Sequence, residues 1–271
     1  MDTPHPRRIA FIGGGNMAGA LIGGLVRAGA DAAAITVVEP FEPQRNKLAQ
    51  AFGVVAQAAA DVRLAEASTL VWAVKPQLFA AAAAPCAPYT RHALQVSVMA
   101  GVRCAAVSLA SGSARVVRAM PNTPALIGQG IAGLFATPEV GAGERAEVDA
   151  LFAPTGATLW LAREDELDAV TALSGSGPAY VFYFLEAMMQ AATEMGLSEA
   201  QGRLLAEHTF AGATALAQQS PLPPDELRAQ VTSKGGTTHA AITALEAGGV
   251  KAAFVQALHA ARQRARELGQ T

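Results

Sequence analysis

The sequence predicts an α/β first half and an all-α second half. Three observations support this fold class: short apolar or β-branched runs alternate with helical patterns, glycine-rich or polar segments follow those runs, and only helical patterns continue beyond residue 163. Strands that alternate with helices are typical of a mostly parallel sheet with helices on both faces. We therefore predict two domains, residues 1–163 and residues 164–271.

The individual elements follow the hydrophobic pattern along the chain. Strands are predicted at residues 8–12, 35–38, 69–74, 94–98 and 114–119, with weaker candidates at 54–55 and 155–161. Helices are predicted at residues 18–27, 42–51, 80–84 and 140–152, and then at 165–173, 178–195, 198–218, 224–230, 240–247 and 250–268. Since ligands bind at the carboxyl ends of parallel strands, the segments after the strands are the candidate site.

Composition narrows the class of protein. Hydrophobic residues make up 51% of the chain and charged residues 15%, so part of the apolar surface is expected to close an oligomer interface. The net charge is −2 without a basic stripe, which argues against nucleic acid as a partner. Cys86 and Cys104 are too isolated to predict a disulfide framework or a metal site. No apolar stretch has the length of a membrane span, so we expect a cytoplasmic protein with reduced thiols.

Residues 13–18 match the pattern G-x-G-x-x-A between a predicted strand and a predicted helix. In this pattern Gly13 allows a tight turn, Gly15 lets a pyrophosphate approach the backbone, and Ala18 lets the helix pack closely on the strand. Glu39 ends the second strand about 20 residues further on, where a carboxylate meets the ribose hydroxyls of a dinucleotide. The pattern favours a dinucleotide-binding domain of Rossmann type over a glycine turn with a purely structural role.

Glu39 also bears on the choice of cofactor, because a carboxylate at this position repels a 2′-phosphate and favours NADH. Arg45 and Lys47 follow in the next predicted helix and leave two interpretations open. They either accommodate the 2′-phosphate of NADPH or solvate the exposed face of that helix. Both NADP(H) and NAD(H) are therefore candidate cofactors.

A second glycine-rich segment lies in the helical half, directly before a predicted helix. It places four hydroxyl side chains around two adjacent glycines: Thr232, Ser233, Gly235, Gly236, Thr237 and Thr238. Glycines let backbone N–H groups turn inward, and a helix start leaves N–H groups without internal partners, so the segment suits a carboxylate. The alternative is an ordinary helix start capped by one hydroxyl.

The helix predicted at residues 178–195 carries four large apolar side chains, Phe182, Phe184, Met188 and Met189. They form either ordinary core or a surface through which the helices of two chains interlock.

Three segments together are similar to one enzyme family. They are residues 119–125 (Ala-Met-Pro-Asn-Thr-Pro-Ala), residues 173–180 (Leu-Ser-Gly-Ser-Gly-Pro-Ala-Tyr) and residues 231–238 (Val-Thr-Ser-Lys-Gly-Gly-Thr-Thr), the last followed by Leu245 and Glu246. They resemble pyrroline-5-carboxylate reductase, the last enzyme of proline biosynthesis, over residues 13 to about 268. The resemblance implies a Rossmann domain and a helical domain that builds an intertwined homodimer, often within larger rings. It also implies reduction of 1-pyrroline-5-carboxylate to L-proline with NADPH or NADH.

The resemblance and the glycine pattern together predict the site. Substrate is expected at Ser233, Gly235, Gly236, Thr237 and Thr238, and the cofactor at Gly13, Gly15, Asn16, Met17, Ala18, Glu39, Val74, Lys75, Pro76, Met120, Pro121 and Asn122. An imine protonates readily near neutral pH, so no strong acid is required. We predict that Thr238 gives or relays a hydrogen bond to the ring nitrogen and that His239 is a helix-start residue.

Two rival functions stay open. A two-domain hydroxyacid or imine dehydrogenase shares the first half; the hydroxyacid enzymes carry a catalytic lysine on the long helix after the boundary, whereas residues 174–190 contain no lysine. A non-catalytic NAD(P)-binding sensor also shares the first half, but the hydroxyl and glycine loop would then have no purpose.

Overall fold

The computed structural model describes residues 8–269 and contains two compact units. The first unit comprises the described residues up to Ser176 together with those from Ala261 onward, and the second comprises Gly177–Ala260. This division concerns packing within one chain. The functional domain limits, residues 1–163 and 164–271, stay a prediction.

The first unit is built on one eight-stranded sheet. Its strands are β1 (Ile9–Ile12), β2 (Ile35–Val38), β3 (Val55–Gln57), β4 (Thr69–Trp72), β5 (Leu94–Ser97), β6 (Val116–Met120), β7 (Gly130–Ala136) and β8 (Gly156–Trp160). The strand order is β3-β2-β1-β4-β5-β6-β7-β8, with β7 antiparallel to β6 and every other neighbouring pair parallel. This confirms the predicted Rossmann-type α/β class. It also brings the carboxyl ends of β1, β2 and β4 to one edge.

Helices cover both faces of this sheet. They are α1 (Asn16–Arg27), α2 (Glu42–Phe52), α3 (Phe79–Ala83), α4 (Ala87–Thr90), α5 (Cys104–Ser111), α6 (Ala142–Phe152) and α7 (Glu166–Val170). Alternate residues of one strand enter opposite cores, since Val71 packs in one apolar cluster while Leu70 and Trp72 pack in the other. The predicted helix at residues 18–27 begins earlier, at Asn16, and this places its first N–H groups beside the glycine turn.

A buried polar pair fixes β4 against β5 near the ligand edge. The Trp72 indole Nε1 donates to Oε1 of Gln95 at 2.9 Å, and Nε2 of Gln95 donates to the carbonyls of Thr90 and Ala93 at 2.8 and 3.0 Å. Both side chains are fully buried. Because each of these polar groups has a partner, burial carries no penalty for an unmet hydrogen bond, and the end of β4 is held in register.

Strand β7 was not predicted, because its sequence, Gly-Ile-Ala-Gly-Leu-Phe-Ala, is poor in β-branched residues. Tertiary packing decides its conformation instead. A Cβ on Gly133 would lie 2.8 Å from Cγ1 of Val170, so only glycine lets α7 approach this closely. The Ile131 N–H donates to Oδ1 of Asn122 at 3.0 Å, which ties the start of β7 to the segment after β6.

The second unit consists of helices α8 (Gly177–Glu194), α9 (Glu199–Gln219), α10 (Pro224–Gln230) and α11 (Thr237–Ala247), with the first part of α12 (Val250–Leu268). All five were predicted within a few residues of these bounds. Among the described residues, no single helix is long and apolar enough to cross a membrane, although α11 and α12 pass that test as a pair bent by 54°.

The second unit has almost no core of its own. Among its described apolar side chains only Ala192 and Ala206 are buried, whereas Phe182 is 58% exposed and Met188 38% exposed. The interpretation of these two residues as ordinary core is therefore wrong within a single chain. Large apolar side chains left exposed in this way are typical of a surface that a partner covers.

Candidate active site

Gly13 makes the turn that the sequence assigned to it. It follows β1 directly with φ +94°, a conformation that L side chains rarely adopt. A Cβ on Gly13 would lie 2.6 Å from the carbonyl oxygen of Ala73, and its own N–H donates to the Val38 carbonyl at 2.8 Å. The turn is therefore held between the ends of β2 and β4, and no residue larger than glycine fits there.

Helix α1 starts with open N–H groups beside this turn. Its N-cap is Gly15, which offers no side-chain cap, and the first intrahelical bond runs from Gly19 N to Gly15 O at 2.9 Å. The N–H groups of Asn16, Met17 and Ala18 are thus available to an anion. A Cβ on Gly15 would meet no atom within 4 Å, which is the space that a pyrophosphate needs. Ala18 is fully buried in the core, consistent with close packing of helix on strand.

The Glu39 carboxylate anchors the glycine turn. Its Oε2 accepts from Gly14 N and its Oε1 accepts from Phe41 N, both at 2.9 Å. Arg45 in α2 binds the same strand end, where its Nη1 donates to the carbonyls of Glu39 and Pro40 at 2.9 and 2.6 Å. The sequence predicted a ribose contact for Glu39, and the structure adds this structural role.

A cleft of about 700 Å³ opens above these segments. Its described lining includes the predicted residues Gly13, Gly15, Glu39, Val74 and Lys75. It also includes residues that were not predicted: Phe41, Gln44, the alanines at 58–60, Leu78, Ala81, Ala82, Pro85 and Cys86. The one signal for them in the sequence was Phe41, an apolar residue in a short polar connection. The size and apolar character of the cleft suit a dinucleotide.

The end of β4 carries the next group of predicted residues. Ala73 N donates to Ile12 O at 2.8 Å, so the backbone continues the sheet ladder up to the cleft. Val74 is half-buried, Lys75 is exposed, and Pro76 begins a short 3-10 turn, Pro76–Leu78. Val74 and Lys75 line the cleft, whereas Pro76, four residues beyond the end of β4, begins the 3-10 turn and does not belong to the described lining.

The residues at the end of β6 and just after it, which the resemblance assigned to the nicotinamide, make contacts within the protein. Pro121 is buried, and the Asn122 side chain is engaged by Ile131 N. Within the described residues, Met120, Pro121 and Asn122 lie outside the lining of the cleft. A Cβ on Gly175 would lie 2.6 Å from Cε of Met120, so the glycine of the 173–180 motif makes room for this methionine. Their contact with a nicotinamide stays a prediction.

The hydroxyl and glycine loop precedes α11 in the second unit. Gly235 has φ +75°, and Gly236 is the N-cap of α11 without a side-chain cap. Gly236 N donates to Ser233 O at 3.0 Å, and Ala240 N makes the first intrahelical bond, to Gly236 O at 3.1 Å. The alternative of a helix start capped by a hydroxyl is therefore wrong. The N–H groups of the first three residues, including Thr237 and Thr238, are open as an anion site requires.

The two cysteine thiols are buried and hold their protons near neutral pH. Burial raises the pKa of the Cys86 thiol in the cleft to about 11 and that of Cys104 to about 12, so both thiols are neutral near pH 7. Within residues 8–269, no group of three or more His, Cys, Asp or Glu side chains is placed to hold a metal ion.

The chain is similar to proteins of one enzyme family. A family model for pyrroline-5-carboxylate reductase dimerisation matches residues 164–268, and one described as NADP oxidoreductase coenzyme F420-dependent matches residues 8–101. A pyrroline-5-carboxylate reductase from Pseudomonas aeruginosa is 44% identical over 100% of this chain and 98% of its own length.

Solved structures agree. A pyrroline-5-carboxylate reductase from Coxiella burnetii has a TM-score of 0.90 and 36% identity, and the match covers 98% of this chain and 100% of that one. A pyrroline carboxylate reductase from Plasmodium falciparum, solved with NADP bound, has a TM-score of 0.87 and 26% identity over 97% of this chain and 98% of that one. This chain therefore belongs to the pyrroline-5-carboxylate reductase family.

Proposed function

We propose that the protein reduces 1-pyrroline-5-carboxylate to L-proline, the last step of proline biosynthesis. The observation that carries the proposal is the uncapped start of α11, where a glycine pair, hydroxyl side chains and open N–H groups form a site for a small carboxylate. A dinucleotide cleft in the same chain supplies the second half of the reaction. The family supports the same substrate.

The loop before α11 holds the substrate by its carboxylate. The open N–H groups of Thr237, Thr238 and His239 present partial positive charge, and Ser233 adds a hydroxyl. A bound nicotinamide cofactor, NADPH or NADH, supplies the hydride that adds to the imine carbon C5. As that bond forms, the π electrons of the C=N bond move to the nitrogen, which is protonated beforehand and ends as the amine.

Thr238 is the one loop residue to which we assign part of the chemistry. It lies in the first turn of α11 and is half-buried, whereas His239 beside it is exposed. The Thr238 hydroxyl oxygen can accept a hydrogen bond from the protonated ring nitrogen, while the backbone N–H of Thr238 faces the carboxylate. Most of the rate acceleration then comes from orientation of the imine carbon and exclusion of water, and no strong acid is needed.

Thr238→Val removes the hydroxyl and keeps the shape of the side chain. We expect kcat/KM for pyrroline-5-carboxylate to fall about 5- to 150-fold. The reason is that loss of a polar partner of the substrate costs about 1 to 3 kcal/mol of transition-state stabilisation. Thr238→Ser should retain most of the activity. Steady-state kinetics that follow NAD(P)H absorbance measure both variants.

Thr243→Ala is the matched control on the same helix. Its hydroxyl donates to the His239 carbonyl at 2.8 Å and lies outside the loop, so its loss should leave kcat/KM unchanged. A Thr238→Val enzyme as active as the unmodified protein would contradict the role of Thr238. Consumption of NAD(P)H only in the presence of pyrroline-5-carboxylate would separate a reductase from a hydroxyacid dehydrogenase and from a sensor.

A homo-oligomer accounts for the exposed apolar surface of the second unit, and we further propose that it is a dimer able to assemble into rings of dimers. The α8 residues Val181, Phe182, Tyr183 and Met188 are between 38% and 68% exposed, as expected of a surface that a second chain covers. We also propose that the enzyme acts in the cytoplasm, where its two free thiols stay reduced.

Phe182→Asp places a charge in this apolar surface. We expect the protein to lose its oligomeric state and migrate with the mass of one chain, because a buried unpaired carboxylate costs several kcal/mol. Leu109→Asp is the control, since Leu109 is 88% exposed on α5 in the first unit. Light scattering after size exclusion measures both masses. An intact oligomer for Phe182→Asp would place the interface elsewhere.

A further inference from the structure

We propose that the adenosine end of the cleft selects NADH over NADPH, with Glu39 as the specificity-determining residue and Phe41 as a contact common to both cofactors. This inference rests on the proposed function only in assuming that a nicotinamide dinucleotide is the ligand of the cleft. It goes further by assigning a choice between two cofactors to particular side chains.

The Glu39 carboxylate is fixed before any ligand arrives. Oε2 is held by Gly14 N and Oε1 by Phe41 N, each at 2.9 Å, so the side chain is tied both to the glycine turn and to the start of α2. An ionised carboxylate has about four lone-pair directions, and these bonds use two of them. The remaining directions can accept hydrogen bonds from the two hydroxyls of an adenosine ribose. A 2′-phosphate has no proton to offer at neutral pH when fully ionised and would face a like charge.

The residues that line the cleft offer little positive charge to balance a 2′-phosphate. Among the described residues that line the cleft, the ionisable side chains are Glu39, Lys75 and Cys86; Lys75 lies in the segment after β4, and the Cys86 thiol is neutral. The wall formed by residues 58–60 consists of three alanines, whose side chains donate no hydrogen bonds. Arg45 is the nearest arginine in sequence, but its Nη1 is engaged by the carbonyls of Glu39 and Pro40. Arg45 therefore holds the backbone at the end of β2 instead of solvating the face of α2, whereas Lys47 is exposed on that face.

Phe41 has a different role at the same end of the cleft. Phe41 lines the cleft, yet the residue is 64% exposed, and Leu78 in the same lining is 56% exposed. Large apolar side chains left open at a ligand cleft are typical of surfaces that take a planar ring such as adenine. Adenine is identical in NADH and NADPH. Phe41 should therefore set the affinity for both cofactors without setting the choice between them.

The experiment is a titration of the full-length protein with NADH and with NADPH, followed by the change in nicotinamide fluorescence. We expect a Kd for NADH at least about tenfold below that for NADPH. Glu39→Gln removes the charge and keeps the shape, and it should bring the two Kd values to within about threefold of each other. Phe41→Ala should raise both Kd values by the same factor and leave their ratio unchanged.

Glu42→Gln is the matched control. Glu42 is exposed in the first turn of α2, three residues from Glu39, and does not belong to the described lining of the cleft. Its loss changes the net charge equally and should leave the ratio of Kd values as it was. Equal binding of the two cofactors, preference for NADPH, or a ratio that Glu39→Gln does not change would each overturn the inference.

Binding separates this inference from the proposed function. A protein that prefers NADH in the titration but does not reduce pyrroline-5-carboxylate would support the role of Glu39 and contradict the reaction. A protein that reduces the imine equally well with both cofactors, and binds both equally, would support the reaction and overturn the role of Glu39.

Discussion

Gly13→Ala is expected to abolish NAD(P)H binding and to lower the free energy of unfolding by about 3 kcal/mol or more. The residue has φ +94°, and the added Cβ would lie 2.6 Å from the carbonyl oxygen of Ala73. That carbonyl belongs to backbone already fixed by the bond from Ala73 N to Ile12 O, so it cannot withdraw cheaply. Fluorescence titration with NADH and urea unfolding measure the two losses.

Gly15→Ala is the matched variant, because it adds the same methyl group two residues further on. A Cβ at Gly15 meets no protein atom within 4 Å, so we expect a change in unfolding free energy of less than about 0.5 kcal/mol. Cofactor affinity should nevertheless fall, since the methyl group enters the space assigned to the pyrophosphate. If Gly13→Ala bound NADH normally, the turn would not be the cofactor site.

The second large effect is expected at Gly156, which begins β8. It has φ +138° and ψ −151°, a region open almost only to glycine, and a Cβ there would lie 1.9 Å from the Gly130 carbonyl oxygen on β7. Gly156→Ala should therefore destabilise the first unit by about 4 kcal/mol or more. Urea unfolding and the soluble yield on expression measure this loss.

Gly143→Ala is the control for Gly156. Gly143 lies in α6, and its added Cβ would meet no atom within 4 Å. Since glycine within a helix is less stable than alanine, this variant should gain up to about 1 kcal/mol. A Gly156→Ala protein as stable as Gly143→Ala would show that β7 and β8 can move apart, contrary to the backbone described for this pair.

The sequence was most informative where local chemistry decides structure. The order β1, α1, β2 and the turn at Gly13 follow from apolar periodicity and from the conformational needs of glycine, both of which are local. For these residues the structure supplies distances for a prediction already made. The start of α11 was predicted only in part, because the sequence left a hydroxyl-capped start open and placed the first helical residue at 240, whereas the helix begins at Thr237 without a side-chain cap.

What could not be predicted depends on contacts distant in sequence. Strand β7 is specified by the space that Gly133 leaves for Val170, which no local pattern contains. No local pattern predicts the hydrogen bond from Ile131 N to Asn122 or the one from Gly14 N to Glu39. Phe41 lines the cleft only because the sheet places the ends of β2 and β4 on either side of β1. The sequence pattern shows which types of residue a segment contains, whereas the topology of the fold decides which residues meet in space.

The nearly coreless second unit has a consequence for how the enzyme exists at different concentrations. If its helices gain their apolar burial from another copy, folding of this unit and association are one equilibrium, governed by mass action. Dilution then removes structure as well as partners, and the loop before α11, which we propose to hold the substrate carboxylate, is lost with it. The activity of each chain then depends on the protein concentration as much as on the chemistry of its own residues.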